Sequence, residues 1–150
     1  MSCKEWLIGL LFLIFSSLIG RSVLAQNLSA SNTYLLHCSG CHGPDGAGTR
    51  AGGIPALDLV KSFTGDNDGR KYLLQVPGVA YSGLGNKDIA LVLNYVITRW
   101  GQPNIPFQNF TTAEVDSLRA TDIDDIVSYR RNLTKRYIAE GKLVADYPWP

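Results

Sequence analysis

Cysteine and histidine are scarce in this 150-residue sequence, and nearly all of them sit in one place. Its three cysteines and two histidines are Cys3, His37, Cys38, Cys41 and His42, so four of the five fall within six consecutive positions. Cys38-Ser39-Gly40-Cys41-His42 has the form C-x-x-C-H, the attachment pattern of a c-type haem. Two thiols three positions apart at the end of a helical turn reach the two vinyl groups on one porphyrin edge and form thioethers. The next residue then lies under the ring, where a neutral imidazole binds iron through one nitrogen. The reading is one covalent haem c on Cys38 and Cys41, with His42 as the proximal ligand.

Two other chemistries use similar residues. A thioredoxin-like C-x-x-C follows a buried strand and opens a helix, whereas residues 29–37 here are polar and read as a helix ending at the motif. A zinc site needs two more ligands, and only His37 remains beside the motif.

The elements that position the motif follow from pattern. Ser29 or Ser31 can cap a first helix running to about Cys38. Residues 42–53 form a glycine-rich loop, read as covering the haem because it lacks the lysine and the preceding strand of a phosphate loop. Leu57 to Phe63 suggests a short helix, Gly65 to Gly69 a turn, and Arg70 to Val76 a helix stopped by Pro77-Gly78. Lys87 to Trp100 is the strongest helix: Ile89, Leu93, Val96 and Trp100 recur at helical spacing, with Leu91 and Tyr95 widening the stripe. Thr111-Thr112-Ala113-Glu114 has the spacing of a capping box for a helix to about Ala120. A last helix spans about Ile123 to Ile138. Arg119, Arg130, Arg131, Lys135 and Arg136 make this part basic, which reads first as a solvated face and second as a docking surface for an acidic partner.

Composition sets the class. Hydrophobic residues make up 45% and charged residues 18%, a globular mixture. The net charge of +1 gives no electrostatic footprint for nucleic acid. Trp6 to Gly20 is uncharged, Lys4 precedes it, and Val23-Leu24-Ala25 suits a signal peptidase. Residues 1–25 therefore read as a secretory signal; the apolar run is shorter than the roughly 20 residues of a spanning helix. A membrane attachment follows only if that leader stays uncleaved. Cleavage leaves twelve bases against twelve acids and implies a periplasmic protein.

From about Ser29 to Trp100 the sequence resembles the class I (mitochondrial and bacterial) monohaem cytochromes c. Tyr34 takes the aromatic position of that family's first helix, Gly43 follows the histidine, and Pro55-Ala56-Leu57 matches the proximal proline and leucine. The resemblance implies an all-α, haem-wrapping fold over residues 26–100 with a helical extension over 101–150. It implies that the Pro55 carbonyl accepts a hydrogen bond from His42, that Leu57 contacts the haem, and that Tyr34 meets Tyr95 where first and last core helices cross.

The family's axial methionine has no counterpart. Met1 is the only methionine, and Val79 or Ala80 stands at the aligned position. Three arrangements remain open: a vacant distal face, a loop ligand with Lys87 or Tyr81 as candidates, or a ligand from a partner. His37 is tied by Cys38 to the attachment edge and reaches the far face poorly. The leading reading is a periplasmic single-electron carrier, rather than an enzyme, working between redox donor and acceptor proteins, one of which could be a second cytochrome subunit. A small-ligand-binding haem sensor or peroxidase-like protein is the alternative, for which Tyr81, Lys87 and Arg99 are weak acid-base groups. A haem subunit of a larger redox complex is the other.

Overall fold

The computed structural model describes residues 29–145; the leader expected over 1–25 lies outside them. The described chain is helical, with a single isolated bridge between Thr49 and Ile54 and no strand among the described residues. No described helix is long and apolar enough to cross a membrane.

Helix α1 (Ala30–His37) starts where Ser29 accepts a hydrogen bond from the Asn32 amide. One further turn, α2 (Ser39–His42), carries the motif. A 3-10 turn at Val60–Phe63 replaces the longer helix expected from Leu57. Helix α3 (Asn67–Gln75) begins three residues earlier than the pattern suggests, because Asp66 caps it and accepts from the Gly69 amide at 2.9 Å; the expected turn is the cap and first turn of this helix.

Pro77 has two effects. The residue before a proline is driven out of the α region, and Val76 is extended (ψ 139°), which ends α3. Proline then suits the first position of a helix, and Pro77 opens the one-turn α4 (Pro77–Ala80) instead of simply stopping the chain.

Helix α5 (Asn86–Trp100) buries Ile89, Ala90, Val92, Leu93, Val96 and Ile97, whereas Leu91, expected on the inner stripe, is exposed. Helix α5 packs across α1, where Tyr34 meets Tyr95 at 6.1 Å and Trp100 at 4.5 Å between ring centroids.

Helix α6 (Thr112–Arg119) is capped by Thr111, which accepts from the Glu114 amide. The return half of the expected capping box is diverted: both oxygens of Glu114 take the Arg70 guanidinium of α3. Helix α7 (Ile126–Ala139) is capped by Asp125. The buried Val115, Leu133 and Tyr137 of α6 and α7 share one core cluster with Leu73, Leu74, Ile89 and Leu93. The basic residues of this part do not form one solvated face. Arg130 is buried, Arg119 bonds to the Ala80 carbonyl and Asn86, and Arg136 pairs with Asp66 and Asp68.

Candidate haem site

The site begins with how the chain folds back beneath His42. After α2 the backbone turns through Gly43 (φ 76°), and the Gly48 amide donates to the His42 carbonyl at 2.8 Å. Thr49 ties the return: its hydroxyl donates to the Cys41 carbonyl, and its backbone pairs with Ile54. This closeness needs glycine. Gly48 has φ 74°, and a Cβ there would lie 2.4 Å from the Ile54 carbonyl oxygen; Gly46, also at φ 74°, lies flat against the Trp100 ring.

The fold-back delivers Pro55 to the imidazole. His42 Nδ1 lies 3.2 Å from the Pro55 carbonyl oxygen. A carbonyl only accepts, so Nδ1 carries the proton and Nε2 keeps its lone pair for a metal. Burial pushes the His42 pKa down, against the opposing Pro55 bond, which holds the ring neutral as a ligand must be.

Tyr34 braces the same turn. It is 1% exposed and donates to the Gly43 carbonyl at 2.6 Å, and burial raises its phenol pKa to about 12.

His42 opens onto an apolar pocket. Pro55, Ala56 and Leu57 come from its own fold-back, Cys38 from the motif, Leu73, Val76 and Val79 from α3 and α4, and Leu93 and Val96 from α5. Cys38 and Cys41 are free thiols; burial, then the neighbouring Cys41, raises the Cys38 pKa, and Cys41 is exposed. Tyr81 is 87% exposed and Lys87 is exposed, and neither lines the pocket. Ala80 and Leu84 are also absent from its lining, and His37 and Arg99 are exposed.

Sequence reasoning missed Arg130 and the role of Tyr72. Both line the pocket, and Arg130 Nη1 donates to the Tyr72 hydroxyl at 2.8 Å. The guanidinium lies 5.2 Å from the Phe63 ring centroid and also donates to the Ala145 carbonyl. The two residues are 58 positions apart, and nothing in the local pattern of α7 marked Arg130 off from its exposed basic neighbours.

The cytochrome c family profile matches residues 29–134, well past the Trp100 where the sequence resemblance ends. The chain belongs to the cytochrome c family. It is 30% identical over 138 residues to a cytochrome c-552 of Thermus thermophilus, covering 77% of this chain and 92% of that protein. A second Thermus thermophilus cytochrome c-552 is 30% identical over 118 residues, covering 64% and 90%. This membership implies a covalent haem c and electron transfer through it.

The residues present fit that group. A cytochrome of this kind needs two reachable thiols, a neutral imidazole with one nitrogen free, an apolar slot and a partner for the carboxylates of the porphyrin. Cys38 lines the slot and Cys41 lies three positions on, both unpaired, His42 has the required tautomer, and the slot is lined largely by aliphatic side chains. The buried Arg130–Tyr72 pair is a wall feature suited to carboxylate rather than to hydrocarbon.

Proposed function

We propose that this cytochrome is a periplasmic one-electron carrier whose haem iron takes no methionine ligand. The observation that carries the reading is what the chain after the fold-back contributes to the pocket wall. Helices α3 and α4 present Leu73, Val76 and Val79 there, and Met1 is the only methionine of the sequence. The exposure of Tyr81 and Lys87 favours an open sixth position over a ligand from the loop.

Bound in this pocket, the haem supplies a one-electron iron couple. The chain's own residues set its surroundings. Cys38 and Cys41 would hold the porphyrin edge, and His42 would ligate through Nε2, its Nδ1 being engaged by Pro55. The Pro55 carbonyl fixes the ring's orientation and makes it a stronger donor. Arg130 and Tyr72, bonded to each other in the pocket wall, would take the carboxylates. Val76 and Val79 give that wall an apolar lining without an acid-base group, which suits electron exchange better than peroxide cleavage. Loss of thioether ligation lowers the potential relative to methionine-ligated cytochromes. Export across the membrane is supported by the uncharged run Trp6 to Gly20 ahead of Val23-Leu24-Ala25, and with it a periplasmic donor and acceptor.

The test is spectroscopic and kinetic. The ferric holoprotein is expected to lack the weak far-red band of sulfur-ligated haem c, and the ferrous protein to bind carbon monoxide. Rapid reduction and reoxidation by small redox proteins, with negligible peroxide turnover, is the carrier's signature. The far-red band in isolated protein would overturn the ligation, and peroxide turnover well above that of free haem would overturn the carrier in favour of a peroxidase-like enzyme.

A further inference from the structure

Helix α4 and the turn after it hold themselves by local bonds and pack Val79 and Leu84 on the core, but the turn's outer face is bare. Between Ala80 and Asn86 lie Tyr81, which is 87% exposed, and two glycines, one of them Gly83 at φ 74° with no side chain or backbone near its Cβ position. Ser82 caps the turn locally, accepting from the Leu84 amide at 3.3 Å. Yet this segment carries Val79, part of the pocket wall.

A single side chain from α6 ties the last residue of α4 to the first residue of α5. Arg119 Nη2 donates to the Ala80 carbonyl at 3.1 Å, at the C-terminal end of α4, where a carbonyl has no partner within the helix. Arg119 Nη1 donates to the side-chain oxygen of Asn86, the first residue of α5, and Asn86 in turn donates to Asp116 one turn earlier on α6. Gln75, at the end of α3, adds a bond to the Thr121 carbonyl at 3.1 Å. The fork geometry of arginine allows one guanidinium to hold two acceptors on two elements.

We propose that Arg119 is a positioning residue that controls access of small ligands to the iron's sixth position, by latching the Val79 segment to α6. It does not line the haem pocket; it acts through Ala80 and the adjoining Val79. This inference rests on the open sixth position proposed above. With the latch made, a diatomic ligand enters only when the α4 segment swings out, and the latch sets how often that happens.

The experiment uses reduced holoprotein, with carbon monoxide as the probe and rebinding followed after flash photolysis. Arg119→Gln is expected to raise the association rate about ten-fold, the change in open population governed by a charge-assisted hydrogen bond. Arg119→Lys, which can still reach the Ala80 carbonyl, should fall back to within about two-fold of the parent. Lys135→Gln, on the exposed face of α7, is the control and should leave the rate unchanged. Hydrogen exchange gives a readout independent of the iron: amides of residues 79–85 should lose protection in Arg119→Gln while those of α5 keep theirs. A parent protein that binds carbon monoxide at the same rate as Arg119→Gln would overturn the access role alone. A parent that binds none would overturn the open-face reading and the access role with it. Unchanged exchange at residues 79–85 would overturn the latch itself.

Discussion

Tyr34 couples three parts of the site through one side chain. Its ring sits between Trp100 and Tyr95 of α5, its backbone belongs to α1, and its hydroxyl holds the carbonyl that follows His42. Removing the hydroxyl leaves the ring packing intact and leaves the Gly43 carbonyl only the longer bond from the Gly46 amide at 3.3 Å. Tyr34→Phe should therefore cost about 1 kcal/mol in urea unfolding at neutral pH. Alkali separates this bond from packing. Burial raises the Tyr34 pKa to about 12, so its contribution is fully present below the unfolded tyrosine value of about 10 and is lost as pH rises through the folded one. The stability gap between parent and Tyr34→Phe should shrink across that interval. A gap that stays constant to pH 12 would mean the hydroxyl contributes nothing through its proton.

The cap of α3 is where local sequence and long-range chemistry meet. Asp66 accepts from the Gly69 amide, from the Tyr137 hydroxyl of α7 at 2.9 Å, and from Arg136 at 3.2 Å. Burial alone would raise its pKa; the Gly69, Tyr137 and Arg136 contacts outweigh it and hold the carboxyl below its ordinary value. The sign follows. A depressed carboxyl stabilises the fold above the unfolded value of about 4, and that stability is lost as pH falls through the folded value. Asp66→Ala should cost about 1 kcal/mol at neutral pH, as lost N-caps do, and the penalty should fade below pH 4; a penalty unchanged in acid would count against the charge. The elements themselves were mostly legible: hydrophobic spacing marked α5, the Thr111 cap marked α6, a serine at 29 or 31 marked the start of α1, and the family resemblance, rather than spacing, put the Pro55 carbonyl beside His42. What stayed hidden depends on partners distant in sequence. Glu114 satisfies the capping-box spacing but is claimed by Arg70, and Asp66, a local cap through Gly69, also gains the distant Tyr137 hydroxyl. Arg130 looks like its basic neighbours until the fold buries it against Tyr72.

At the scale of the molecule, the question is whether the chain after Trp100 is an appendage or part of the structure that holds the haem. Its contacts are internal ones. Asn94 of α5 uses both ends of its amide on Phe110, donating to the carbonyl at 3.0 Å and accepting from the amide at 2.8 Å. Arg70 stacks 3.8 Å over the Phe110 ring, and Lys61 donates to the Gln102 carbonyl at 2.7 Å. Leu133 of α7 and Leu93 of α5 are 4% and 7% exposed in one cluster. If that cluster melts as a unit, truncating either side chain should cost a similar amount. Leu133→Ala and Leu93→Ala are each expected to lose about 2–5 kcal/mol, read from denaturant curves of the holoprotein. Far-UV circular dichroism, which follows all the helices, and the haem absorbance, which follows the pocket, should give coincident transitions in both variants. An independently folding extension predicts otherwise: Leu133→Ala would lower an early dichroism transition and leave the haem transition where it was. The Arg130–Tyr72 bond makes that second outcome hard to reconcile with the fold, because α7 could not unfold without exposing a wall of the pocket.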